Sequence, residues 1–388
     1  PGPSAFTNYL PDDPQYRLPY NELNTLMRDR SGMFWLGMMG GGVYSVNMRP
    51  SPFRAYNLES VRKKLFSSSV RSLLMDADST LWMGVGSYGL MIQRKEDPAP
   101  VFFREVKGLE KAVYPHTVNC FLERKFHPEI WMGTWGNGIM VYHKDTRTLH
   151  QWTPENAPWL SDRYVFAFLE DHRHNLWIGG RSGLSVLRPD GTGENLTGLT
   201  LDAERGQTLD FTYHSLLESR DGNIWMGTNH GIVRLSGEPA EPGGRRLSSY
   251  CRHNGRLASE QIQCLLEDRS GRLWAGSEGG GLYLYDPRKD AFEQVNHRYG
   301  LLADAVLSMQ EDPEGNLWMG TNSGLVHLMV ASDAGAATSR IYTTADGLLD
   351  NIFIRNAFAR TPGGEFLFGG HNGYIMFRPE EVGVGAVV

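Results

Sequence analysis

The stretch "NLWMGTNSGL" (residues 316–325) has near-copies in "NIWMGTNHGI" (223–232) and "EIWMGTWGNGI" (129–139). An apolar-Trp-apolar-Gly core recurs with Trp at 35, 82, 131, 177, 225, 274 and 318, and "EFLFGG" (365–370) adds an eighth copy with Leu367 in the Trp place. Successive copies stand 47, 49, 46, 48, 49, 44 and 49 residues apart. Two positions after each Trp or its substitute comes a glycine: Gly37, Gly84, Gly133, Gly179, Gly227, Gly276, Gly320 and Gly369. A second follows four or five residues later: Gly42, Gly89, Gly138, Gly183, Gly231, Gly281, Gly324 and Gly373. Self-similarity at this period is the mark of a repeat architecture.

Each unit reads as four short strands. In the unit spanning 299–345, "AVLSMQED" alternates and runs into the turn "DPEGN"; "LWMGT", "LVHLMV" and "RIYTT" follow as further strands. Four strands per 40–50 residues, with no sustained helical period, predict an all-β fold, a β-propeller of four-stranded blades. Ten residues before each Trp position, with one inserted residue in the third unit, stand Thr25, Ser72, Cys120, Ala167, Ser215, Cys264, Ser308 and Ala357, all small. The next column is large and apolar throughout, as inner strands crowded around an axis require. This assigns Cys120 and Cys264 to packing. The last unit stops after its third strand, and "AFTNYLPDD" near the N-terminus resembles an outer fourth strand. Closure of the ring by that N-terminal strand would hide the exposed edges. The count is then eight blades, with a seven-bladed ring as the alternative.

Composition agrees. With 388 residues, 45 glycines and 43 aromatics, the chain is globular and turn-rich. A net charge of −6 disfavours a nucleic-acid partner. No apolar run reaches the roughly 18–20 residues of a membrane helix. The first ten residues are no signal peptide, which is also how a mature or excised exported domain begins. Three cysteines and twelve scattered histidines show no metal-ligand spacing, so neither metal nor cofactor is expected.

The pattern in "EDRSGRLWAGSEGGGL" (267–282) and "EDPEGNLWMGTNSGL" (311–325) resembles the two-component regulator propeller repeat. Such repeats build the periplasmic sensor regions of hybrid two-component systems, chiefly in gut Bacteroidetes. The ending "GGHNGYIMFRPEEV" is similar to the last repeat of such a region, and "YNELNTLMRDRSGMFWLGMMGGGV" (20–43) to a repeat near the start of a second propeller. The resemblance implies a sensor of oligosaccharides released from polysaccharides, signalling to a histidine kinase. It implies a periplasmic location, with membrane attachment through segments outside this chain, and a homodimer formed through the full-length protein. Residues 1–388 read as a single propeller domain excised from that larger protein, without β-sandwich, span or kinase. Family propellers usually have seven blades, so the first unit could belong to a preceding ring.

Specificity must reside where the repeats differ. Between the two glycines the variable residues include Tyr88, Trp135, Arg181, His230, Glu278, Asn322 and His371. Polar and glycine residues make tight turns without any ligand. Aromatics in solvent-facing turns, as at Tyr88 and Trp135, also suit stacking on a sugar. Loops between blades share that face, and His116, Arg163, Tyr164 and His214 would lie near the channel mouth, as ligand contacts or as hydrogen-bonding ends of strands. The "DRSG", "SRDGN" and "DPEG" turns on the opposite face read as structural. An enzyme is the competing class. A glycoside hydrolase needs paired carboxylates, for which only Glu278 and Asp304 stand near; a lyase needs a base such as His230 or His371. No catalytic residue is assigned. A protein-interaction or dimerisation scaffold is the third reading.

Overall fold

The computed structural model describes residues 22–29, 34–46, 51–58, 69–86, 88–97, 99–105, 117–202, 206–237, 244–330 and 338–382. The chain forms two compact units, residues 1–52 with 382–388, and residues 53–381. In the smaller unit the first repeat is a three-stranded sheet of Leu23–Arg28, Phe34–Met38 and Gly42–Val46.

Among the described residues the larger unit contains seven four-stranded antiparallel sheets. Blade 1 is Val70–Met75, Leu81–Val85, Gly89–Gln93 and Val101–Phe102; blade 2 is Val118–Glu123, Glu129–Thr134, Ile139–His143 and Thr148–Trp152. Blade 3 is Val165–Glu170, Leu176–Gly180, Leu184–Leu187 and Gly193–Asn195; blade 4 is Tyr213–Glu218, Ile224–Thr228, Gly231–Ser236 and Arg246–Tyr250. Blade 5 is Ile262–Glu267, Leu273–Ser277, Gly281–Asp286 and Ala291–Gln294; blade 6 is Val306–Glu311, Leu317–Thr321, Leu325–Met329 and Thr338–Tyr342. Blade 7 takes Phe353–Arg360, Phe366–Gly370 and Gly373–Phe377 from the end of the unit and Arg54–Tyr56 from its start.

Each blade's first strand packs on the next, and that of blade 7 packs on that of blade 1. Among the described residues the eight repeat copies therefore give seven four-stranded blades and one three-stranded sheet, and the inner strands of the seven pack in a cycle. The expected closing strand in "AFTNYLPDD" lies outside the described residues, and its place is filled by Arg54–Tyr56, paired Tyr56 to Tyr374 and Arg54 to Met376. The Tyr56 and Tyr374 rings stack at 4.7 Å, and Phe53 packs edge-on to Tyr342 and Phe377. This three-residue strand follows "RPSPF", where the prolines conceal any alternation from a sequence reading.

The two glycine columns have different physical causes. The first lies opposite the small column, as Gly84 does opposite Ser72 and Gly276 opposite Cys264. A Cβ on Gly84 would stand 2.3 Å from the Val118 carbonyl oxygen of the next blade. The second column requires left-handed backbone: Gly231 has φ 100°, and a Cβ there would meet the Tyr250 carbonyl oxygen at 2.2 Å. Cys120 and Cys264 are buried in the small column, and burial raises both thiols, that of Cys264 to about 12.

The Glu and Asp positions that end the inner strands, both filled at 170–171, 267–268 and 311–312, divide their work between two blades. The Asp caps its own turn: Asp312 Oδ1 accepts from the backbone N–H of Glu314 and Asn316, and Oδ2 accepts from Trp318 Nε1 at 3.0 Å. The same Trp–Asp bond is made by Trp82, Trp177 and Trp274, and by Trp35 in the smaller unit. The Glu instead reaches back to the preceding blade. Glu123, Glu170, Glu218, Glu267 and Glu311 accept from the backbone N–H of Ala77, Lys125, His172, Arg220 and Arg269. At the two remaining joints the donor position is Pro313 or Pro362, which has no N–H, and the acceptor position is Arg360 or Met75. Donor and acceptor are lost together.

Removing one such tie has a measurable cost. Glu267→Ala is expected to destabilise by about 1.5–3 kcal/mol in urea unfolding, as loss of a charge-assisted bond should. Exposed Glu314→Ala should stay within about 0.5 kcal/mol of the parent. Equal effects would show that the ties do not hold the blades.

Candidate functional site

The Trp-x-Gly turns and the loops leading into each inner strand are hydrogen-bonded together on one face. The first turn residue bonds to its own blade's loop, as Trp135 N–H does to Thr117 O and Glu278 N–H to Gln261 O. The second glycine bonds to the next blade's loop, as Gly138 N–H does to Arg163 O and Gly281 N–H to Asp304 O. The backbone is thereby fixed at both ends, while the side chains between stay free to differ.

Blades 2 and 3 use this freedom to present aromatics. Trp135 is 51% exposed although its backbone is bridged to Tyr164. Its ring meets Tyr164 edge-on at 5.5 Å and Phe166 at 5.6 Å. The Arg181 guanidinium lies over the Tyr164 ring at 4.0 Å. Arg163 points to Glu155, with which it pairs at 2.6 Å. Thus Trp135, Tyr164 and Arg181 come together in one patch, with Arg163 at its margin.

The other sequence candidates are dispersed. Tyr88 is half-buried, tilted on Phe102 and packed on the core between blades 7 and 1. His230 is exposed beside Phe211, Asn322 bonds Asp304 at 3.0 Å, and His371 is exposed on blade 7. His116 lies outside the described residues. His214 is buried below the mouth, its Nδ1 2.8 Å from the Ile262 carbonyl oxygen. Burial, and then the charge of Arg355, lower its pKa to about 3 against the opposing bond to Ile262. His214 is therefore neutral near pH 7 with the proton on Nδ1, and is poorly matched to acid–base work. Of the two carboxylates weighed for hydrolysis, Glu278 accepts from Gln263 and Asp304 from Asn322, so each already serves a neighbouring amide.

The channel mouth contains residues that the repeat pattern did not disclose. In blades 1 to 6 one residue separates the first ladder position from the small column: Arg71, Asn119, Phe166, His214, Gln263 or Leu307. In blade 7 residues 354–356 stand between Phe353, opposite Gly370, and the small Ala357. This wide bulge, with Asn356 left-handed at φ 54°, pushes blade 7 across the axis. Arg355 donates to Gln263 Oε1 on blade 5 at 3.1 Å and lies 5.7 Å from the Phe166 ring on blade 3. Asn356 donates to the His214 carbonyl of blade 4 at 2.6 Å. A sequence signal existed: two residues before the small column is Val, Tyr or Ile in the other six blades, and Arg355 in blade 7.

A cleft of about 240 Å³ lies elsewhere, between blades 3 and 4 beside the capping turns. Two of its arginines, Arg188 and Arg245, converge on Glu194.

The two-component regulator propeller family matches this chain at residues 209–230, 256–279 and 300–323, three copies of the Trp-Gly unit. The chain carries two-component regulator propeller repeats. A curated relative, histidine kinase P4 of Formosa agariphila, is 25% identical over 98% of the chain, which spans only 24% of that protein's length. The extracellular domain of a hybrid two component system from B. thetaiotaomicron is 20% identical, with TM-score 0.57 over 81% of this chain and 39% of that one. A streptogramin B lyase shares 12% identity, with TM-score 0.56 over 84% of the chain and 96% of its own. The last two likenesses concern the fold.

Proposed function

We propose that this propeller is the extracytoplasmic, non-catalytic ligand-sensing part of a hybrid two-component regulator. Its ligand is an oligosaccharide from polysaccharide breakdown, and its output is a histidine kinase outside this chain. The full-length protein works as a homodimer, and residues 1–388 are one segment of it. One observation carries the ligand assignment: Trp135 is held half in solvent beside Tyr164, whose face is covered by Arg181. A flat apolar surface with polar groups at its rim is what a sugar ring stacks on. The relationship to a histidine kinase supports the signalling role.

The test is a panel of oligosaccharides followed by thermal shift and tryptophan fluorescence, with chromatography for products. One class should stabilise the protein without being consumed. Trp135→Ala should weaken that binding at least tenfold, about 1.4 kcal/mol, while leaving the unliganded melting temperature nearly unchanged. Product formation would instead establish an enzyme. Absence of any shift, with stable dimers of this segment, would favour a scaffold.

A further inference from the structure

We propose that the channel mouth is an oxyanion subsite, and that the saccharide recognised carries a carboxylate or sulfate group bound by Arg355 with Arg71. The proposal rests on the oligosaccharide reading and narrows it to acidic sugars.

Arg355 is brought to the axis by the blade 7 bulge, at a depth where the other blades place Phe166, His214 and Gln263. Its described hydrogen bond goes to a neutral amide oxygen, that of Gln263. Among the described residues it forms no ion pair. The acid nearest in the network, Glu278, is held on the far side of Gln263, whose Nε2 donates to Glu278 Oε2 at 3.0 Å. Arg71, at the corresponding depth on neighbouring blade 1, is exposed and has no carboxylate partner among the described residues. Arg71 and Arg355 lie within electrostatic reach of each other, and the carboxylate that acts on Arg355, Glu278, already accepts from Gln263, in a chain of net charge −6. Burial disfavours the charged form of Arg355, and Arg71 adds to this while Glu278 opposes it.

A guanidinium kept at an axis without a direct ion pair among the described residues presents a planar donor fork to whatever enters, and carboxylate and sulfate oxygens fit that fork. The remaining groups facing it suit a sugar. Phe166 lies beneath Trp135 and beside Arg355, so the apolar patch runs from the exposed platform to the cation. His214 is neutral and its carbonyl is occupied by Asn356, so it contributes no competing charge.

The experiment is calorimetric titration of the chain with three probes of equal length: a tetragalacturonate, a sulfated galacto-oligosaccharide and neutral β-1,4-galactotetraose. The expected result is that at least one acidic probe binds ten times or more tighter than the neutral one. Arg355→Gln should erase that preference, and Arg71→Gln should reduce it several-fold, with circular dichroism unchanged. Among the described residues Arg71 makes no hydrogen bond or ion pair between blades, so its variant reads the same contrast if Arg355→Gln fails to fold. Binding of the acidic tetramer alone identifies a carboxylate, and of the sulfated probe alone a sulfate ester. Neutral binding as tight as acidic, or an acidic preference surviving both substitutions, overturns the subsite and leaves the oligosaccharide reading standing. Failure of all three probes, where the wider panel of neutral sugars does bind, likewise overturns the subsite alone. Failure of every saccharide overturns both.

Discussion

Asp268→Ala is expected to cost about 3–5 kcal/mol, the range for breaking a buried charged network by removing one member. Asp268 is fully buried, and all four acceptor directions are used. Oδ1 accepts from the backbone N–H groups of Ser270 and Arg272; Oδ2 accepts from Trp274 Nε1 at 2.8 Å and Arg272 Nε at 2.6 Å. Alanine leaves an indole N–H unsatisfied in a ring that is itself fully buried. Urea denaturation of the parent, Asp268→Ala, Trp274→Phe and the double variant separates the contributions. The double variant should cost less than the sum of the singles, because phenylalanine removes the donor that Asp268 satisfies. Strict additivity would mean that the Trp–Asp bond is incidental to the repeat.

Gly84→Ala is expected to cost about 3 kcal/mol, the upper part of the range for overpacking a closed core. The added carbon would meet two atoms that cannot retreat, the Val118 carbonyl oxygen and Ser72 Oγ, each at 2.3 Å. These two atoms are bonded to each other at 2.8 Å across the joint between blades 1 and 2. Adding Ser72→Ala should rescue little, since the carbonyl stays. Gly279→Ala is the contrast: φ is 87° there, but a Cβ meets nothing within 4 Å, so only the backbone cost of about 1–2 kcal/mol applies. Thermal unfolding of both variants checks the ordering; a milder effect at Gly84 would mean that the inner strands can part.

These effects arise from parts of the fold that were legible beforehand. Trp318, Gly320 and Gly324 announce a blade because packing against a neighbour and turning in left-handed backbone are demands that few residues meet. The Glu of each Glu-Asp pair could be seen but not interpreted, since its partner is a backbone N–H about 45 residues away in the preceding blade. The closing strand was hidden for another reason: three residues borrowed from the start of the unit carry too little alternation. The candidate site was legible only on its rim. Trp135 stood out as an aromatic in a solvent-facing turn and Tyr164 as a loop residue near the channel mouth, whereas Tyr88, read in the same way as Trp135, is recruited by the core. Arg355 was masked because a bulge changes register, and register cannot be read from residue types when an insertion is only two residues long.

Blade 7 differs from the others in how it is restrained. Its joints with blades 6 and 1 lack the carboxylate lacing, proline standing where an N–H would donate. It is held instead at the axis, by Arg355 to Gln263 and Asn356 to the His214 carbonyl. The chain enters the unit through this blade's outer strand, at Arg54–Tyr56, and leaves it after Phe377. Mechanically, one blade is both the least tethered at its turns and the handle by which the ring is connected to the rest of the polypeptide. A force applied at the axis would reach both ends of the ring without crossing another blade.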